Sequence, residues 1–155
     1  MVLYDLIVFA VDHAMSADEA AAEVGRLAES SQFSFRRDHR LDAFEARIDE
    51  LWPGLQDAPE TSRPFEFDVM RHHVFVGFPP ASAEMGVAAV AEAAWSTGVA
   101  VFDPQRHLVG LPTPFADAPL GTDGIADAVR ATAAATEEGA AASSTNDEGA
   151  GQDED

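Results

Sequence analysis

Five histidines, His13, His39, His72, His73 and His107, are the side chains best suited to move a proton or hold a metal near neutral pH. Their usefulness depends on which carboxylates they meet. The strand order set out below, with the first strand taken parallel to the third, brings three groups to one sheet edge. These are His72 and His73, then Tyr4 and Asp5, then Asp103, Gln105 and His107. Imidazoles and carboxylates gathered there would suit zinc, manganese or iron, or acid–base work. The adjacent pair His72-His73 is a poor chelate on a strand, because neighbouring side chains point to opposite faces. The helical His-x-x-x-His spacing of zinc enzymes is also missing. Asp5, His72, His73, Asp103 and Gln105 are therefore read as candidate ligand-binding residues. No catalytic residue, metal-ligand set or cofactor is assigned.

Asp103-Pro104-Gln105 carries a second signal. Proline biases the preceding residue toward extended backbone, and an aspartate there can accept backbone N–H bonds and order the turn. Asp12, His13 and Ser16 contain the residue types of a nucleophilic triad, but geometry defines triads, and no Gly-x-Ser-x-Gly elbow is present. Ser16 with Glu19 has the spacing of a helix capping box. Arg36-Arg37-Asp38-His39-Arg40 is the one basic cluster and could grip a phosphate or an acidic surface. No glycine-rich phosphate loop accompanies it.

These residues must be positioned by a small set of elements. Val2 to Val11 reads as a central strand, apolar on both faces in its second half. A helix follows over 17–29, with Ala20, Val24 and Leu27 at helical spacing. Leu41, Phe44, Ile48, Leu51 and Trp52 form the apolar stripe of a second helix, stopped by Pro53-Gly54. A short extended piece at Phe33 to Phe35 can lie between the two. Phe65, Phe67 and Val69 alternate with Glu66 and Asp68 as a half-buried strand, and His73 to Phe78 forms its hairpin partner. Ser82 can cap a third helix reaching Trp95, with Gly98 as its C-terminal glycine. Val99 to Phe102 is a further strand, and 107–111 a last extended piece. The order β-α-α-β-β-α-β fits an α+β fold of the ferredoxin-like split βαβ kind, an antiparallel sheet with helices on one face. The domain is expected over 1–113. Residues 114–155 read as an acidic, Ala/Gly-rich tail, largely disordered, with a short helix over 123–136.

The formal net charge is −19, and the chain contains neither lysine nor cysteine. Disulfides, thiolate nucleophiles and cysteine-bound metals are thereby excluded. Residues 1–113 hold 18 acids against 8 arginines, so the tail alone does not produce the charge. Such a chain is repelled by phosphate backbones and anionic lipid, which argues against nucleic-acid and membrane partners. No apolar run approaches the roughly 20 residues a spanning helix requires. No secretory signal is read in the first strand, so a cytoplasmic protein is expected. The acidity fits either a high-GC genome or adaptation to a salt-rich cytoplasm, where self-repulsion is screened.

Tyr4 to Phe9 (YDLIVF), Trp52-Pro53 and Gly98 to Gln105 (GVAVFDPQ) give the chain a resemblance. It is similar to small bacterial proteins of unknown function that open on a Tyr-Asp-Leu strand and end a Gly-aliphatic strand in Asp-Pro-Gln. The resemblance implies an α+β fold and accessory or immunity-type roles. The expected function is a binding or regulatory domain without catalytic machinery. The alternatives are an immunity-type inhibitor of a basic toxin, and a small enzyme or ligand-binding domain using the His/Asp edge. Expected partners are a basic protein, or a second copy meeting the aromatic sheet face in a homodimer.

Overall fold

The computed structural model describes residues 3–29 and 37–143. The expected extended piece at Phe33 to Phe35 lies outside them, as does Arg36. The architecture is α+β, with a five-stranded sheet that is antiparallel throughout. Its strands are β1 (Tyr4–Ala10), β2 (Glu66–Val69), β3 (His73–Phe78), β4 (Val99–Asp103) and β5 (Leu108–Gly110), in the spatial order β2-β3-β1-β4-β5. The helices are α1 (Ala17–Glu29), α2 (His39–Leu51), α3 (Ala83–Thr97) and α4 (Ile125–Ser143).

Each boundary has a local cause. Ser16 and Glu19 form the reciprocal capping box that starts α1, Ser16 N donating to Glu19 Oε2 and Glu19 N to Ser16 Oγ. Asp38 caps α2 by accepting from Arg40 N at 2.9 Å. The Arg40 guanidinium bonded to it holds its carboxyl down at about 2. Arg40 also donates to the Val11 carbonyl and to Asp12, so the start of α2 is tied to the end of β1. Ser82 does not cap α3 through its side chain; it closes a 3-10 turn over Pro80–Ser82, and its hydroxyl donates to the Pro79 carbonyl. Gly98 ends α3 at φ 85°, the left-handed backbone that glycine adopts without strain.

The helices do not share one face of the sheet. Tyr4, Leu6 and Val8 of β1, with Val74, Val76 and Val101, form one core with Leu41, Phe44 and Ile48 of α2 and Val87 and Val90 of α3. The alternate residues Ile7 and Phe9, with Ala100 and Phe102, pack against Ala20, Val24 and Leu27 of α1 on the opposite side. A central strand apolar on both faces must be covered on both. The single-face arrangement expected from the sequence is corrected on this point.

Of the stretch read as a largely disordered tail, 144–155 lies outside the described residues, and several residues of 114–143 pack on the domain. Ile125 is buried in the larger core, with Ala128 and Val129 packed beside it, and Trp95 Nε1 donates to the Ala116 carbonyl. The helix read over 123–136 is α4, which continues to Ser143. At the other edge, Arg63 donates to the carbonyls of Gln56, Ala58 and Phe67, binding the preceding loop to the outer side of β2. Covering an edge strand in this way blocks pairing with other chains.

Gly86 lets α3 lie directly on the sheet, because a Cβ there would fall inside the ring envelope of Phe78. Gly86→Ala is expected to cost about 1–3 kcal/mol through overpacking, read as a lower urea midpoint with an unchanged slope.

Candidate functional site

The antiparallel pairing of β1 with β3 separates the residues expected to meet. Tyr4 lies opposite Phe78, and His73 lies opposite Phe9. His73 is thus four residues along β1 from Asp5, roughly 13 Å away at strand spacing. His72 and His73 sit at one end of the sheet, and Asp5, Asp103 and Gln105 at the other. The edge cluster drawn from a parallel β1–β3 pair does not form. Among the described residues no group of three or more His, Cys, Asp or Glu side chains is placed to hold a metal ion. His107 also departs from that cluster; its Nε2 meets Asp18 of α1 at 2.6 Å.

What assembles at the Asp5 end is a closed network around Asp103. Asp103 is the one charged residue that is fully buried among the described residues. Its carboxylate accepts from Tyr4 Oη at 2.6 Å, Gln105 N at 3.1 Å, Gln105 Nε2 at 2.9 Å, Arg106 N at 3.1 Å and Arg106 Nε at 2.7 Å. Burial raises the Tyr4 phenol's pKa, and its bond to the Asp103 carboxylate raises it further. Arg106 spans the remaining gap, donating from Nη1 to the Asp123 carbonyl at 2.8 Å, ahead of α4. Its Nη2 is buried without a partner.

Gln105 replaces a missing piece of backbone. Ile7 pairs with Phe102, so the same register extended by two residues sets Pro104 opposite Asp5. Proline has no N–H to give to the ladder. The Gln105 side chain supplies it: Oε1 accepts from Asp5 N and Nε2 donates to Asp5 O, both at 2.8 Å. Asp5 contributes its backbone to this clamp, while its carboxylate faces the other side of the sheet. Burial raises that carboxyl's pKa above the ordinary value, and the neighbouring charge of Glu66 adds to the rise.

The described arginines near the start of α2 are also engaged within the chain. Arg37 pairs with Asp42 and Glu45 of α2, and Arg40 with Asp38 and Asp12. Arg37 and Arg40, the described arginines of the basic cluster, therefore spend their donors on helix capping and anchoring. An open groove of about 400 Å³ runs past Asp12, His13, Met15, Glu19 and Arg26. Its charges are committed too, Asp12 to Arg40, Glu19 to the Ser16 amide and Arg26 to Glu23. Burial lowers the His73 pKa, His72 adds to that effect, and His73 Nδ1 is buried without a partner.

Two outcomes follow for the clamp. Asp103→Ala is expected to cost about 3–5 kcal/mol by urea unfolding, because it strands a buried guanidinium. For Asp5 the folded pKa is raised, so its protonated form favours folding; that contribution is whole below pH about 4 and is lost as pH rises through the folded pKa. Asp5→Asn is therefore expected to raise the thermal midpoint near pH 7 and leave it unchanged near pH 3. Compared with known proteins, the chain matches no family model, no curated protein and no solved structure.

Proposed function

We propose that the chain is a binding or regulatory domain without catalytic machinery, and that its partner is a positively charged protein. One observation carries the reading. Every arginine among the described residues has an interaction within the chain, and there is no lysine. Among the described residues, the surplus carboxylates thus confront solvent with no arginine left without an interaction. A field of one sign draws an oppositely charged partner and speeds its encounter. An inhibitor that covers a basic enzyme is one form such a domain would take.

The Asp103 network supports the non-catalytic part of the reading. A catalytic carboxylate must reach substrate. Asp103 has no exposed surface and accepts from donors on all sides. A homodimer is less well matched, because two copies would bring the same excess of negative charge together.

The test is calorimetric titration with a synthetic peptide alternating arginine and leucine, beside its glutamate–leucine counterpart. Saturable binding of the cationic peptide alone, weakening steadily as salt rises, is expected. Absence of binding at low salt, or a hydrolytic activity of the purified chain abolished by Asp103→Asn, would overturn the proposal.

A further inference from the structure

Among the described residues, one stretch of the sheet face is covered by no helix of the smaller core. α1 packs over β4, β5 and the β1 residues nearest them, through Phe9, Ala100 and Phe102. Phe75 of β3 belongs to neither buried core among the described residues and is partly exposed, as are Ile7 and His73. The register shows what surrounds them on this face. Glu66, Gly77 and Asp5 form one row across β2, β3 and β1, and Asp68, Phe75 and Ile7 form the next.

This half-face is apolar at its centre and acidic at its border. Glu66 and Asp68 are exposed, and Asp5 is half-buried. Gly77 has no side chain to separate its neighbours; a Cβ there would meet Leu3 Cδ1 at 3.0 Å, Phe75 Cε1 at 3.3 Å and Asp5 Oδ1 at 3.4 Å. An apolar floor and a carboxylate thus lie side by side. A depression of about 140 Å³ lies along the outer edge of β2, lined by Glu60, Arg63, Phe65, Glu66, Phe67 and Asp68.

Resting on the reading above, we infer that this half-face of β1, β2 and β3 is the docking surface, and that its occupant is an arginine- or lysine-bearing segment of a partner protein. Charge complementarity selects that occupant. A second copy would set Asp5, Glu66 and Asp68 against the same three acids, and like charges face to face disfavour that pairing. An aliphatic or aromatic residue of the segment covers Phe75 and the part of Ile7 that the smaller core leaves exposed, while its cations meet the acidic border. A long basic side chain suits both tasks, laying its apolar stem on Phe75 and carrying its charge beyond.

The experiment compares two triple variants of equal charge change against the same arginine–leucine peptide. One is Asp5→Asn/Glu66→Gln/Asp68→Asn on the half-face. The other is Asp49→Asn/Glu84→Gln/Glu92→Gln on exposed positions of α2 and α3. The face triple is expected to weaken binding by about tenfold or more, and the helix triple by less than about twofold. In the wild type, amide shifts on peptide addition should concentrate at Asp5, Ile7, Glu66, His73, Phe75 and Gly77. Equal losses from both triples, or shifts spread along the helices, would overturn the location while leaving a basic partner in place. A wild type that binds no cationic peptide would overturn both. Concentration-dependent dimerisation that protects Phe75 would overturn the choice of occupant.

Discussion

The burial of the Asp103 carboxylate is the constraint on which one end of the sheet depends. An unpaired charge in a fully buried position would cost several kcal/mol, so the surrounding chain must bring donors to it. They come from the start of β1, from the turn after β4 and from the Arg106 guanidinium, which reaches on to the Asp123 carbonyl. Strand order, hairpin geometry and the approach to α4 are thereby coupled through one side chain. Pro104 sharpens the requirement, since its missing N–H must be replaced where β1 and β4 part, and Gln105 replaces it.

The same economy governs the cations. Arg40 joins β1 to α2, Arg63 seals the β2 edge, and Arg106 neutralises the buried acid. Guanidinium suits these places because its fixed fork of donors can satisfy several carbonyls or carboxylates together. With the described arginines so employed, the acidic excess of the described residues is expressed outward. Structural use of the basic residues and an acidic outer surface are two results of one allocation.

Much of the fold was legible from short-range pattern. The α1 and β3 boundaries, the Ser16–Glu19 box and Gly98 all rest on spacings within a few residues. Asp103 was readable as a turn former for the same reason. Its partner Tyr4 was not, because it lies 99 positions away and no local pattern links them. Strand direction was the costliest miss. The hairpin makes β3 antiparallel to β2, and the crossover returns β2 parallel to β1, so β3, inserted between them, must oppose both. Taking β1 and β3 as parallel moved the histidines to the wrong end. The two-sided apolar half of β1 already required cover on both faces, yet an amphipathic stripe such as that of α1 does not state which face it will take.

Hydrogen exchange at the Asp5 amide addresses the clamp most directly, since that proton is held by a side chain and by no strand. If Gln105 completes the β1–β4 ladder inside the domain, this amide exchanges as slowly as its neighbours in mid-β1, and Gln105→Ala releases it selectively. An Asp5 amide exchanging like an exposed loop proton in the unaltered protein would show Gln105 free to serve another purpose, and would contradict the view that the Asp103 network exists to close the fold.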